Sequence, residues 1–579
     1  MDAGLAWTAL GTLGTCAGVG LAWHQARAQG RPGHDPGDGR RPPDVYGMSV
    51  TPPTGALPAE VRGRDALLAE LRQLAGARRG AVVVLTGVGG VGKSTVATAL
   101  AEWAGGRRRR GRTRPIWWVS AADPAVLGAG MVSVARGTGA PRADLEALAR
   151  NSPDAPDRLW ARLAAAPPGW LLVLDSADDP GVLTGPGWLR APARGLVLVT
   201  SRHTDPRTWG RHARVRAVTP PDEDAATRIL RDLAPAAGDE TGARDLARRL
   251  GALPLALTLA GTYLDSGVAR WPTYATYRRA LDAHERDGWP GDPGPRPDPR
   301  TAVMRTWEIS LDDLAHWGVP RARPLLRLLS CYEAGIPFPY DLLDTAFAAS
   351  IPSFGAVVGD EGGTERSTEL ALRGLVQLSL LTPHPTADGG AGLLVHPVVA
   401  DTHRIHLDAV PGGPGDPDPG VIRAAAAELM TGALGRLRYD RPADWPRYHL
   451  LEPHLRALYG TVAERLDPQR LAALARATAE AARAIDRSGA FQVGARLCRT
   501  ALERAEALGG DHPAVLALRH QLAWEIAIEG DVAAAESLYR EVLSARRRTL
   551  GEDHPDTRAS LGALAALRRG EIADARHAV

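Results

Sequence analysis

The chain has 579 residues, of which 44% are hydrophobic and 23% are charged, and its formal net charge is +3. At roughly 100–200 residues per domain, this length allows several globular domains, and so small a net charge requires neither an acidic nor a nucleic-acid partner. The three cysteines, Cys16, Cys331 and Cys498, are far apart and have no metal-binding spacing, which favours a reducing compartment.

An uncharged segment of 21 residues lies close to the N-terminus. As a helix it would be about 31 Å long, close to the ~30 Å hydrocarbon core of a bilayer. Trp7 and Trp23 lie near its ends, where aromatic residues meet the membrane interface, and arginines follow it. These features predict a transmembrane helix over 1–24 and a cytoplasmic, membrane-anchored remainder, with Gly14 and Gly18 allowing two such helices to approach closely. A soluble helix rich in alanine and glycine, and a secretory signal, are the alternatives.

A first globular block is predicted over 57–220, after a linker over 25–56 that is rich in glycine, proline and charge. Apolar runs alternate with helical stretches there, which is typical of a parallel sheet with crossover helices. The run "AVVVL" leads into "TGVGGVGKST", which has the GxxxxGK[ST] spacing of a phosphate-binding loop. Its backbone amides, at a helix N-terminus, are suited to phosphate oxygens. The loop residues expected to bind phosphate are Gly87, Val88, Gly89, Gly90, Val91, Gly92, Lys93, Ser94 and Thr95.

Four side chains in this block are candidates for a role at the phosphates or at the metal ion. Lys93 is expected to reach the β- and γ-phosphates, and the hydroxyl of Ser94 to ligate Mg²⁺. Asp175 ends the strand "WLLVLD", where a carboxylate holds Mg²⁺ through water, although a turn-capping role is the alternative. Ser176 follows it in place of a second acid, so we expect weak hydrolysis. Arg202 ends the strand "LVLVTSR" and is placed to sense a γ-phosphate, with a local surface ion pair as the alternative.

The remainder of the chain is predicted to be mostly helical. A helical domain over 221–300 precedes a helix, strand, glycine-rich turn, strand and helix that fit a winged-helix domain over 301–408. A second linker over 409–420 leads to the tail, 421–579, in which "LGGDHP" recurs as "LGEDHP" 42 residues later. Such a period predicts an α-solenoid. The fold class is therefore multidomain α/β plus α.

These motifs in this order resemble the NB-ARC subgroup of STAND ATPases, signalling NTPases that include plant disease-resistance proteins and apoptotic protease-activating factors. The resemblance covers about 57–408 and implies three further contacts to the nucleotide. Arg62 in "RGRD" would lie near the adenine, Pro254 in "LGALPLAL" would pack on the base, and His396 in "LLVHPVVADTHR" would contact the β-phosphate of ADP. A histidine buried in the domain core is the alternative for His396. The tail resembles tetratricopeptide repeats of the kinesin-light-chain type, a pairing familiar in actinobacterial proteins.

The resemblance implies a switch with ATP or ADP and Mg²⁺ as cofactors. With ADP the protein would be closed, a protein or peptide ligand on the tail would favour an open state, and ATP would allow self-association. Nucleic acid is not expected as a partner, because the candidate winged-helix segment "STELALRGLVQLSLL" carries only Arg373 as a cation. The alternatives are a repeat scaffold with structurally bound nucleotide, and a transcriptional regulator of the same ATPase class. The regulator would need a DNA-binding domain ahead of the ATPase, where only about 56 residues lie.

Overall fold

The computed structural model describes residues 50–571 except for short internal segments. The segments left out are 54–56, 78, 107, 110–111, 150–151, 268, 287–298, 344, 349, 359–363 and 410–416. The predicted transmembrane helix over 1–24 and most of the predicted linker over 25–56 lie outside the described residues.

The predicted membrane anchoring is corrected by the structure. Within the described part of the chain, no helix combines the length and the apolar composition needed to cross a membrane. The N-terminal uncharged segment, with five glycines and three threonines among its 21 residues, also has a weaker apolar character than its lack of charge suggests.

The first globular part contains a five-stranded parallel sheet in the order β4-β5-β6-β1-β7. Its elements are α1 Asp65–Gly76, β1 Ala81–Thr86, α2 Lys93–Gly105, β2 Arg108–Arg109, β3 Arg112–Thr113, β4 Ile116–Ser120, α3 Pro124–Gly137, α4 Arg142–Ala149, α5 Ala155–Ala165, β5 Leu171–Asp175, α6 Gly181–Thr184, β6 Leu196–Ser201 and β7 Ala213–Ala217. The sheet confirms the predicted α/β architecture.

The central strand β1 explains why its sequence is an unbroken apolar run. Val82 and Val84 belong to the core on one face of the sheet, and Val83 and Leu85 belong to the core on the other face. A strand covered by helices on both faces needs apolar side chains at every position. The strand β7 was not predicted from the sequence, because it is an edge strand whose arginines stay partly in solvent.

Helices and a small antiparallel sheet follow. The elements are α7 Glu223–Leu233, α8 Glu240–Arg249, α9 Pro254–Asp265, α10 Tyr274–Arg286, α11 Pro299–His316, α12 Ala322–Leu329, β8 Phe338–Pro339, α13 Thr345–Ala348, α14 Pro352–Val358, α15 Thr364–Gln377, β9 Leu381–Pro385, β10 Ala391–Val395 and α16 Pro397–Ala409. The order α15, β9, turn, β10 and α16 is the helix, strand, turn, strand and helix predicted for this region. One hydrophobic core runs from Ala226 to Leu518, so these helices and the start of the tail are packed together.

The tail is a series of antiparallel helix pairs. Its helices are α17 Pro419–Leu434, α18 Trp445–Thr461, α19 Pro468–Arg487, α20 Phe491–Ala505, α21 Pro513–Glu529, α22 Val532–Leu550 and α23 Pro555–Arg568. The two copies of the repeated motif have the same structural role, since each begins a helix. His512 and His554 cap α21 and α23 by accepting a hydrogen bond at Nδ1, each 3.2 Å from a backbone nitrogen two residues on. Each histidine is followed by a proline at the first helical position, where its missing N–H is not needed.

Candidate functional site

The loop between β1 and α2 has a backbone that only glycine supports at two positions. Gly87 has φ of 149°, and a Cβ there would lie 2.5 Å from the carbonyl oxygen of Val218. Gly90 has φ of 78°, and a Cβ there would lie 2.9 Å from the Cβ of Leu255. The loop is therefore held between the end of the sheet and the start of α9, with its curled backbone leading into the N-terminus of α2.

Lys93 is the first residue of α2, and its side chain folds back over the loop. Its Nζ donates hydrogen bonds to the carbonyl oxygens of Gly87, at 2.8 Å, and Val88, at 3.0 Å. Burial lowers the pKa of Lys93, while the carboxylates of Asp178 and Asp175 oppose that effect. The ammonium group thus lies at the mouth of the loop, where the sequence placed the phosphates.

Asp175 lies at the end of β5 and shares hydrogen bonds with two hydroxyl groups. Ser94 Oγ donates to Asp175 Oδ1 at 2.9 Å, and Thr200 Oγ1 donates to the same oxygen. Burial raises the pKa of Asp175, and these two hydrogen bonds act in the opposite direction. The structure therefore brings together the hydroxyl and the carboxylate predicted to share Mg²⁺.

Thr200 is a site residue that the sequence analysis missed. Besides bonding Asp175, its hydroxyl accepts a hydrogen bond from the backbone nitrogen of Ser176 at 2.9 Å. Ser176 has φ of 63°, a left-handed conformation that is uncommon outside glycine. The available signal was the position of Thr200 near the end of β6, which is paired with β5 in parallel register.

Arg202 follows β6 and contacts two carboxylates. Its Nε and its backbone nitrogen donate to Asp178, each at 2.6 Å. One terminal guanidinium nitrogen donates to Asp401 Oδ2 at 3.1 Å. Asp401 lies on α16, 199 positions after Arg202 in the sequence. This contact therefore joins the predicted winged-helix region to the predicted phosphate sensor.

His396 lies between β10 and α16, close to the loop. Its Nδ1 accepts a hydrogen bond from the backbone nitrogen of Val398 at 3.2 Å, so the proton of the neutral ring is on Nε2. Burial lowers the pKa of His396 to about 4, and the charges of Lys93 and Arg202 act in the same direction. A Cβ on Gly89 would lie 2.6 Å from a methyl carbon of Val398. The start of α16 is therefore packed directly on the loop, with a neutral histidine beside the lysine.

Pro254 also lies beside the loop, whereas Arg62 points elsewhere. Pro254 begins α9, and the next residue, Leu255, donates its backbone N–H to the carbonyl oxygen of Gly90 at 3.2 Å. Arg62 instead pairs with Asp232, its Nε lying 2.6 Å from a carboxylate oxygen.

The arginine of "RGRD" that contacts the loop is Arg64. It is 9% exposed, and it donates a hydrogen bond to the carbonyl oxygen of Val91 at 3.0 Å. Burial lowers its pKa. The motif itself was recognised in the sequence, but which of its two arginines reaches the loop was decided by the fold.

The donor set fits a magnesium ion that also has phosphate and water ligands. In the described residues there is no group of three or more histidine, cysteine, aspartate or glutamate side chains that could hold a metal by itself. Mg²⁺ in phosphate-binding sites typically takes only one or two protein oxygens and completes its shell with water and phosphate. Ser94 and Asp175, whose oxygens are 2.9 Å apart, meet that requirement.

A second set of charges joins the parallel sheet to the tail. Asp123, which follows β4, is 3% exposed and lies 2.7 Å from a nitrogen of Arg456 in α18 and 3.4 Å from a nitrogen of Arg496 in α20. Glu452 lies 3.4 Å from Arg456. Burial raises the pKa of Glu452 to about 7, with the charge of Asp123 adding to the effect. No pattern in the sequence predicted this contact.

Comparison with known proteins confirms the predicted repeats. A family model described as tetratricopeptide repeat matches residues 515–556, which cover most of α21, all of α22 and the second copy of the repeated motif.

A curated relative supports the resemblance over part of the chain. A nucleotide-binding leucine-rich repeat (NLR)-like protein from Hyaloscypha variabilis is 26% identical over an alignment of 292 residues. The match covers 44% of this chain and 27% of the relative. The chain thus spans only 27% of the length of the curated relative that it matches. Together with the repeat match, this supports the resemblance to NB-ARC STAND proteins with tetratricopeptide repeats, but it does not support an actinobacterial type.

Two solved structures resemble the chain more distantly. The STAND protein with a tetratricopeptide repeat sensor from Pyrococcus horikoshii is 13% identical, with a TM-score of 0.41, and the match covers 90% of this chain and 76% of that one. The Drosophila ORC bound to DNA is 15% identical, with a TM-score of 0.27, and the match covers 68% of this chain and 100% of that one. At such low TM-scores, neither likeness supports a conclusion about this chain.

Proposed function

We propose that this chain, which resembles NB-ARC STAND proteins with tetratricopeptide repeats, is an ATP/ADP-dependent signalling switch. It holds ADP in a closed state, opens when a protein or peptide ligand binds the tail, and self-associates after exchange to ATP. The proposal keeps the domain bounds expected from the sequence: a nucleotide-binding domain over 57–220, a helical domain over 221–300, a winged helix over 301–408 and the repeats over 421–579.

The observation that carries this proposal is the contact between α16 and the phosphate-binding loop. The neutral ring of His396 carries its proton on Nε2 and lies within the electrostatic influence of Lys93. Asp401 accepts a hydrogen bond from one terminal nitrogen of the Arg202 guanidinium. A β-phosphate would accept a hydrogen bond from the histidine, and this bond would stabilise the closed state when ADP is bound. A γ-phosphate would compete with Asp401 for Arg202 and would repel that carboxylate. Closure is thereby coupled to the number of phosphates.

The cofactor is proposed to be ATP or ADP with Mg²⁺. Lys93 and the loop amides would bind the phosphates, Ser94 and Asp175 would hold the ion, and Pro254 would pack beside the base. Arg64 is the more suitable arginine for the loop, and Arg62 is kept only as a candidate contact to the adenine. Bound Mg²⁺ would neutralise charge on the phosphates.

Turnover is proposed to be slow. The residue after Asp175 is Ser176, which has no carboxylate to orient water, and its backbone N–H is occupied by Thr200. The next acid, Asp178, is held by two hydrogen bonds from Arg202. A general base must be free to accept a proton from the attacking water, and neither position offers one.

The first test is the nucleotide released from gently purified protein, with Lys93→Ala as the comparison. We expect ADP at about one per chain, lost in the variant because the ammonium group that faces the phosphates is gone. His396→Ala should retain less ADP than the wild type while still binding ATP. Empty wild-type protein that turns ATP over rapidly would refute the switch.

A repeat scaffold with structurally bound nucleotide is the second candidate, and Ser176 is the observation that favours it. The scaffold and the switch differ in whether the exchange of ADP for ATP changes the self-association of the chain. Light scattering with ADP and then ATP, in the presence of a tail ligand, should show larger particles only with ATP if the chain is a switch.

A further inference from the structure

A cavity of about 380 Å³ opens among the last helices of the tail. Its volume falls within the range of roughly 300–1,000 Å³ that is typical of small-molecule sites. Its lining comes from α19, α20, α21, α22 and α23. The side chains that matter here are Phe491, Trp524, Ile528 and Tyr539 on the walls, and Arg483 and Arg487 at the edge. The cavity is therefore mainly apolar, with cations at one side.

The two arginines are held in place by an aromatic ring, and the carboxylate that Arg487 interacts with, Asp440, is itself paired with Arg438 at 3.1 Å. Arg483 and Arg487 lie one turn apart on α19, and both are exposed. Their guanidinium carbons lie 4.3 Å and 5.3 Å from the ring centroid of Tyr439. Neither arginine forms an ion pair with another residue in the described part of the chain. Stacking on an aromatic ring leaves the guanidinium edges free for an anion.

Tyr539 forms part of the cavity wall. Tyr539 is fully buried, and its oxygen has no hydrogen-bond partner among the described residues. The hydroxyl oxygen is closed off from solvent, so we assign it no contact with a ligand in the cavity. The ring itself is fixed by an edge contact with His520, at 5.2 Å between centroids.

The acids near the cavity do not favour a cationic ligand. Asp486 lines the cavity and accepts a hydrogen bond from Gln521, and Glu525 lies close to it. Burial raises the pKa of both carboxyls, and their proximity to each other favours a shared proton. Two full negative charges are therefore disfavoured beside the cavity, and the arginines supply the cations at its edge.

We propose that this cavity binds a small anionic amphiphile. Its carboxylate, sulfonate or phosphate group pairs with Arg483 and Arg487, and its aromatic or branched apolar body lies against Phe491 and Trp524. This goes beyond the protein or peptide ligand proposed for the tail, because the repeats have a small-molecule site of their own. Binding can be measured without nucleotide, so it succeeds or fails independently of the proposed switch.

The test uses a fluorescent aromatic sulfonate, 8-anilinonaphthalene-1-sulfonate, and its uncharged analogue N-phenyl-1-naphthylamine, titrated against the full chain. We expect one saturable site for the sulfonate. The double substitution Arg483→Gln and Arg487→Gln should lower the affinity for the sulfonate by about tenfold, because two charge-assisted contacts are lost. The same variant should bind the uncharged analogue within about twofold of the wild type.

Two further variants distinguish the cavity from general surface binding. Gly562 lines the cavity, and a Cβ there meets no atom within 4 Å, so a larger side chain can start at this position. Gly562→Leu should therefore occupy the cavity and abolish the binding of both probes. Arg476 is exposed on the same helix as the two arginines, and Arg476→Gln should leave the affinity for both probes unchanged. Equal weakening of both probes by the arginine substitutions, sulfonate binding that survives Gly562→Leu, or binding that never saturates would overturn the proposal. Tight binding of an acidic peptide with no sulfonate binding would replace it by a peptide groove.

Discussion

Replacing Asp123 by asparagine tests the contact between the parallel sheet and the tail. Asp123 is 3% exposed and pairs with Arg456 at 2.7 Å and with Arg496 at 3.4 Å. The substitution leaves two partly buried guanidinium groups without the carboxylate they share. We expect it to loosen the tail from the sheet, because an unpaired buried charge is strongly unfavourable.

The size of the effect follows from burial. Breaking a buried ion pair by removing one partner costs ~3–5 kcal/mol. The side chains of Arg456 and Arg496 are 21% and 29% exposed, and Arg456 keeps Glu452 at 3.4 Å, so water and the second acid offset part of the loss. We expect about 2 kcal/mol, which is about 30-fold in the equilibrium between docked and undocked tail.

The assay is hydrogen–deuterium exchange on the full chain, compared at α3, α18 and α20. In Asp123→Asn these helices should exchange about 30-fold faster through undocking, whereas α2 should be unchanged. The matched control is Asp157→Asn, because Asp157 also pairs with an arginine, Arg190 at 2.6 Å, but is 67% exposed. Unchanged protection in Asp123→Asn, or equal loss in the control, would refute the reasoning.

Three other predictions follow from individual contacts. Asp401→Asn removes the ion pair with Arg202, whose two side chains are 38% (Arg202) and 44% (Asp401) exposed. A pair this exposed contributes ~0.2–1 kcal/mol, so a fluorescent ADP analogue should be released up to about fivefold faster. An unchanged release rate would show that this pair does not stabilise the closed state. Thr200→Val removes the hydroxyl that bonds Asp175 and Ser176, and urea unfolding should show a loss of ~1–3 kcal/mol. Glu452 has a folded-state pKa of about 7, above its ordinary value of 4.5, because it is buried beside Asp123. The folded state therefore binds more protons than the unfolded state between these values, and stability should fall as pH rises from about 4.5 to 7, by up to ~3 kcal/mol. Glu452→Gln should remove that part of the slope in urea titrations at several pH values, and an identical slope in the variant would contradict the assignment.

Several site residues could be predicted because their positions follow from local pattern. Lys93 and Ser94 lie at fixed spacing in a glycine loop between a strand and a helix. Asp175 ends an apolar run, and the carboxyl ends of parallel strands meet at one edge of a sheet. The structure places the Asp175 and Ser94 side chains in contact, as this reasoning requires. Thr200 was missed because a threonine near the end of a strand is common, and only its neighbour across the sheet gives it a role.

The two arginines of "RGRD" show where motif reasoning ends, and the expected position of Arg62 near the adenine stays a prediction. Arg62 and Arg64 flank one glycine, so a motif cannot distinguish them, and the turn directs Arg64 to the loop and Arg62 to Asp232. The edge strand β7 was missed for a related reason, since alternating arginines obscure the apolar pattern on which a strand prediction depends.

The sequence by itself determined the phosphate-binding loop, the buried strands and the 42-residue repeat. These features depend on residues within one element or one repeat, where spacing and backbone chemistry suffice. Only the tertiary structure decided that Asp401 reaches Arg202 across 199 positions and that Arg496 reaches Asp123 across 373. Such pairs leave no periodic trace in the sequence, because each consists of two single residues brought together by the packing of whole domains. The contacts that would make this chain a switch, rather than only a nucleotide-binding protein, are of this second kind.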